Sequence, residues 1–131
     1  FALLSKNELE MEALQKEIVA CNANHRVEEG FETLKKFEQI ADHDDQIAQQ
    51  FILRSKVLLG RLDQRYTPQE QIDLLMQAIR LTVPRFNLDE IERFFYSTDE
   101  IKIINQIGIA YSDDGQNKKA ADIYYQLPKA F

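Results

Sequence analysis

The chain has 131 residues, 44% hydrophobic and 29% charged, with 4 glycines, 3 prolines and a formal net charge of −6. That length can bury a real core, the balance is globular rather than disordered, and the acidic charge argues against a broad grip on DNA or RNA. One cysteine, Cys21, excludes an internal disulfide and fits a reducing cytoplasm; no apolar run approaches the ~20 residues of a membrane span, and no signal peptide opens the chain.

Leu3, Leu4, Met11, Leu14, Ile18 and Cys21 recur mostly at steps of three and four, which predicts a first helix over residues 3–21. Ser5 with Glu8 offers a cap inside that stretch, and Asn22-Ala23-Asn24 reads as its stop. Val27, Phe31, Leu34, Phe37 and Ile40 line a second helix, from about Arg26 to Ala41. Asp44 or Asp45 is the expected cap of a third, over 46–64, with Ile47, Phe51, Val57, Leu58 and Leu62 as its buried face. Thr67-Pro68-Gln69-Glu70 is a capping box with proline at the first helical position, and it opens a fourth helix carrying Ile72, Leu75, Met76 and Ile79. Pro84 stops it. Asn87-Leu88-Asp89-Glu90 repeats the capping logic and predicts a short fifth helix through Phe95; Ser97-Thr98-Asp99-Glu100 predicts a sixth. Gly115 stands where a left-handed residue would close the sixth, and a seventh ends before Pro128. No segment alternates long enough to argue a strand.

The last two helices carry Gly108 and Ala120 where backbones would approach closely, with Ile104, Tyr111 and Tyr124 beside them. Small and large residues at these spacings match the tetratricopeptide pattern, a hairpin of about 34 residues. Leu14, Ile18, Cys21, Gly30, Leu34 and Phe37 repeat it upstream, with Gly30 in the place of Ala120; Leu59, Leu62, Leu75 and Ala78 align only roughly. The expected fold is therefore all-α: one domain over 1–131, about seven helices, antiparallel hairpins stacked as a right-handed superhelix. The first helix of each hairpin would line a concave face. Gln15, Val19 and Asn22 fall there in the first pair, Arg54 and Lys56 in the middle pair, and Lys102, Asn105, Ile109 and Ser112 in the last. Amides suit the backbone of an extended peptide, and a basic group suits its terminal carboxylate. Ile123, Tyr124, Tyr125 and Leu127 offer more apolar surface than one neighbour would cover, which predicts a homodimer.

No nucleophile motif and no glycine-rich phosphate loop appears, so no enzyme and no cofactor is expected. Cys21 and His25 stand at a ligand-like step, but Asn22 and Asn24 break the helix between them, and Asp42, Asp44 and Asp45 lack calcium-loop spacing; no metal is expected.

At Leu81-Thr-Val-Pro-Arg-Phe-Asn-Leu-Asp-Glu-Ile91, and again at Glu100-Ile-Lys-Ile-Ile-Asn-Gln-Ile107, the chain resembles the C-terminal region of Rgg/GadR/MutR-type transcriptional regulators. AYSDDGQNKKAADIYYQL extends the likeness, which covers about residues 78–127 and more weakly Leu9 to Ala41. The resemblance implies a cytoplasmic bacterial regulator: a C-terminal repeat domain that dimerises and, in many members, receives a short peptide pheromone. DNA would be bound only by a helix-turn-helix domain upstream, of which this chain shows no trace. The start at Phe1 rather than Met fits a fragment of a longer protein. The alternative from another class is a tetratricopeptide-type protein–protein adaptor that senses nothing.

Overall fold

The structure, a computed structural model, describes residues 5–130; Leu3 and Leu4 of the first apolar stripe lie outside the described residues. Six α-helices follow one another: α1 (Lys6–Ala23), α2 (Val27–Ile40), α3 (Gln46–Leu62), α4 (Pro68–Thr82), α5 (Thr98–Asp113) and α6 (Asn117–Gln126). Single 3₁₀ turns occupy Ile91–Arg93 and Leu127–Ala130, and none of the described residues is in a strand.

Two devices set these boundaries. Four helices start on a side-chain cap. Ser5 accepts from the Glu8 amide and Asp45 from the Ala48 amide. Thr67 and Ser97 form reciprocal boxes with Glu70 and Glu100. The cap satisfies amides that the first turn leaves without partners. The other device closes α1, α3 and α5. Each ends in a left-handed residue, His25 (φ 57), Gln64 (φ 56) or Gly115 (φ 78). In each, the next amide reaches back five residues: Arg26 to the Cys21 carbonyl at 2.8 Å, Arg65 to Gly60 at 2.8 Å, Gln116 to Tyr111 at 2.9 Å. This is the Schellman closure. After two of these turns α2 and α6 begin almost at once, and neither has a side-chain cap.

The chain divides into two compact units, residues 1–65 and 66–131. In the first, α1 packs on α2, and α3 packs on both. Ile18, Leu34, Phe37, Ala41, Ala48, Ile52 and Leu59 form its core, with Met11, Leu14, Phe31 and Phe51 against it. The Phe37 and Phe51 rings lie 5.2 Å apart, and the Arg65 guanidinium sits 3.8 Å from the Phe31 ring centre. Gly30 lets α2 close in: a Cβ there would lie 2.7 Å from Leu59 Cδ2 and 3.2 Å from Cys21 Cβ. The buried face of α3 runs through Ala48, Ile52, Ser55 and Leu59, at steps of four, three and four, with Val57 also buried. Ile47, expected inside, is 66% exposed, because it lies about 100° around the helix from Ala48.

In the second unit α4 packs on α5 and α5 on α6. Ile72, Leu75, Ile79, Ile103, Ile104, Ile107 and Ile123 are buried there. Gly108 again marks a close approach, with a Cβ placed 2.7 Å from Tyr124 Cε1. Within each unit the packing of adjacent helices is consistent with a helical repeat.

The fifth of the seven expected helices does not form. Ile91–Arg93 makes one 3₁₀ turn, and Phe94 is already extended. So short a segment gains too few hydrogen bonds to offset nucleation. Its backbone is also held otherwise. Asn87 Oδ1 accepts from the Asp89 amide in a local turn; Gln126 Oε1 accepts from the Ile91 amide at 3.0 Å; and Gln126 Nε2 donates to the Leu88 carbonyl at 2.9 Å. Arg80 donates to the Phe86 carbonyl and the Tyr96 hydroxyl to that of Ile91. The last helix ends at Gln126, and Pro128 falls inside the final 3₁₀ turn.

Candidate functional site

The first unit carries a pocket of about 110 Å³ between α1 and α3. The Schellman closure comes late enough that Asn22 is still helical, one turn beyond Ile18. Ile18, Val19 and Asn22 therefore share one side of α1. On α3 the Asp45 cap fixes the start, and Phe51, Arg54, Ser55, Leu58 and Leu59 follow on one side. Ile18 and Leu59 are buried, Phe51 and Leu58 half-buried, and Val19, 57% exposed, stands at the mouth. Arg54, itself half-buried, is the one charged residue in the lining. Asn22 and Ser55 add an amide and a hydroxyl. The chemistry is an apolar slot with a cationic, hydrogen-bonding edge.

Of the residues assigned to a concave face, the structure brings Val19, Asn22 and Arg54 together here. Gln15 is exposed on α1 and does not line the pocket. Lys56 does not line it either: its ammonium pairs with Glu38 of α2 at 3.2 Å. Residues two apart on a helix face different ways, so Arg54 and Lys56 cannot share one groove. Ser55 and Leu58 were not singled out for the site, although their steps from Phe51 and Arg54 carried the signal. In the second unit Lys102, Asn105, Ile109 and Ser112 form one stripe along α5, Ile109 half-buried and the others exposed.

On α6, Tyr125 is 68% and Tyr124 38% exposed, and Leu127 is half-buried. Ile123 belongs to the interior of its own unit, so it is withdrawn from any exposed apolar face. The α6 period turns it towards α5, with Ala120 one turn before it and Gln126 one turn after.

Glu17, Cys21 and Glu29 offer ligand atoms within 4.8 Å of one another. Arg26 explains the carboxylates, lying 3.9 Å from Glu17 and 3.0 Å from Glu29. Burial pushes the Cys21 thiol pKa up, against the pull of Arg26, so the thiol is held protonated beside the Glu17 carboxylate. The group reads as an ion pair over a buried thiol. His25 takes the left-handed turn position and is exposed.

Comparison with protein-family models, with curated proteins and with solved structures gives no match. No helix among the described residues is long and apolar enough to cross a membrane.

Proposed function

We propose that this chain is the regulatory domain of a bacterial transcriptional regulator of the Rgg/GadR/MutR type, receiving a short signalling peptide and dimerising. The single observation that supports it best is the pocket whose lining includes Asn22 of α1 and Arg54 of α3 beside apolar side chains. Asn22 falls at a repeat position of the first hairpin and Arg54 nearest to one in the looser middle pair; an amide suits the backbone of an extended peptide and a basic group its carboxylate. The sequence likeness over residues 78–127 supplies the regulatory context. The reading includes a right-handed superhelix of hairpins, a cytoplasmic location and no catalytic activity.

The mechanism is a population shift. Peptide favours one arrangement of the repeats, and the shift it produces is bounded by the difference in its affinity for the two arrangements, about 1–3 kcal/mol for typical couplings. Tyr125, with part of Tyr124, is the surface on which a second copy would pair. Titration calorimetry with the short apolar peptides encoded beside the gene tests the sensing role; binding by none of them at millimolar concentration ends it. Sedimentation equilibrium tests the dimer: Tyr125→Asp is expected to leave a monomer, and a native protein that is monomeric at high concentration refutes pairing.

A further inference from the structure

One junction between helices is longer than the rest. Residues 83–97 separate α4 from α5, whereas residues 24–26, 41–45, 63–67 and 114–116 suffice at the other junctions. Connectors of that length are uncommon in compact domains, and those packed by their own side chains frequently serve a function. This one is held along its length. Val83, Phe86, Leu88 and Ile91 are buried, Tyr96 packs edge-on against Phe86, and the Tyr96 hydroxyl returns to the Ile91 carbonyl. Within this held segment Phe95 is 94% exposed. A ring presented on an ordered backbone loses little freedom on binding, which suits an interface anchor.

The surroundings narrow what covers it. Just before Phe95 in the chain lies a shallow hollow lined by Asp89, Glu90, Glu92 and Arg93. Arg93 is engaged by Glu90 at 3.1 Å, and Asp89 and Glu92 are exposed carboxylates, so the hollow is acidic. The loop lies against α6, where Gln126 holds the Ile91 amide and the Leu88 carbonyl. Beside Gln126, the outer face of α6 exposes Lys118, Ala121 and Tyr125 at steps of three and four. The second unit thus carries an acidic hollow with an aromatic anchor, and next to it a helix face with a lysine and a tyrosine ring. The two surfaces are complementary in charge and alike in apolar character.

We propose that a second copy of this chain docks here about a two-fold axis: Phe95 of each copy packs against Tyr125 of the other, and Lys118 of each meets the acidic hollow of the other at Glu92. Two complementary surfaces on one unit can exchange contacts reciprocally, which closes the pair. The inference rests on the dimer reading above and gives it an arrangement.

The test measures the dimer dissociation constant of the whole chain at low salt, by energy transfer between donor-labelled and acceptor-labelled copies and by sedimentation velocity. Phe95→Ala removes a ring that the monomer hardly buries, so its thermal melt should match that of native monomer while its dimer weakens at least tenfold. Glu92→Lys and Lys118→Glu should each weaken the dimer comparably, because each sets like charges together at both contacts. Mixed in equal amounts, these two variants are expected to recover affinity close to native, since their heterodimer restores opposite charges at both contacts. Native protein that stays monomeric at high concentration ends the dimer reading and this arrangement with it, leaving Phe95 to a partner of another kind. A native dimer that Phe95→Ala and both charge reversals leave intact overturns the arrangement while the dimer reading stands. Charge variants that mixing does not rescue, or native species that keep growing beyond the dimer with concentration, overturn the two-fold docking.

Discussion

Gly30→Ala isolates the close approach at the centre of the first unit. Alanine in place of glycine inside α2 favours the helix by about 1 kcal/mol. The new methyl, however, would sit 2.7 Å from Leu59 Cδ2, 3.1 Å from Leu59 Cδ1 and 3.2 Å from Cys21 Cβ. Ordinary carbon contacts are about 3.5–4.0 Å. Leu59 is fully buried, so its side chain can give way only towards the pocket it lines, and Cys21 Cβ moves only if α1 moves. Overpacking of this kind costs about 1–3 kcal/mol. The clash wins, and the expected net loss is about 1 kcal/mol, which lowers a urea midpoint by roughly 0.5 M at a slope near 2 kcal/mol/M. Leu59→Ala alone is expected to cost about 2–5 kcal/mol. In the double variant the new methyl enters the space that Leu59 vacates, so the pair should be more stable than Leu59→Ala by up to about 1 kcal/mol. The coupling is then about 1–2 kcal/mol. Urea unfolding followed by circular dichroism reads all three variants. A stabilised Gly30→Ala, or effects that simply add, would refute the packing argument.

Gly108→Ala should be close to neutral despite an equally short approach, because the Tyr124 ring it meets is 38% exposed and can swing outward; a loss above about 1 kcal/mol in the same assay contradicts this. Gln64→Gly should stabilise by roughly 0.5–1 kcal/mol by removing a side chain from a left-handed position, and Gly115→Ala should destabilise by about 1 kcal/mol; thermal melts check both signs. Gln126→Leu leaves the Ile91 amide and the Leu88 carbonyl without their partner, at about 1–3 kcal/mol each, and hydrogen exchange at the Ile91 amide should accelerate strongly while α1 is unaffected. Burial, helped by Glu100, pushes the Tyr96 phenol up to about 12. A folded-state pKa above the unfolded value gives stability that is complete below about 10 and is lost as pH rises through 12, so Tyr96→Phe should flatten alkaline unfolding over that window. A Tyr96 absorbance titration near 10 in the native protein would count against that environment.

The sequence showed the helices well because their starts are written in short-range chemistry. Thr67 with Glu70, Ser97 with Glu100, and Ser5 with Glu8 need only three residues to act, and all three caps form. Gly30 and Gly108 were legible for a related reason: a small residue at a repeat position has few other uses. The Asn87–Phe95 stretch misled because a cap signal says where a helix may begin, not whether enough chain follows to sustain it. Its real conformation depends on Gln126, 35 residues away in sequence, which no local pattern reveals. The pocket was half legible. Asn22, Arg54 and Lys56 were all placed on a concave face by helix order; Asn22 and Arg54 line the pocket, whereas Lys56 pairs with Glu38 of α2.

His25, Gln64 and Gly115 turn three corners by the same backbone geometry, and the side chains at two of them are not what the corner asks for. A bend closed by main-chain bonds rests on the backbone, so the side chain at its left-handed residue changes its stability by about 1 kcal/mol without undoing it. Adding or deleting one residue there is another matter, since it would rotate every following helical position by about 100° and turn a buried row towards solvent. Tolerance at these corners should therefore be wide for substitutions and narrow for changes in length.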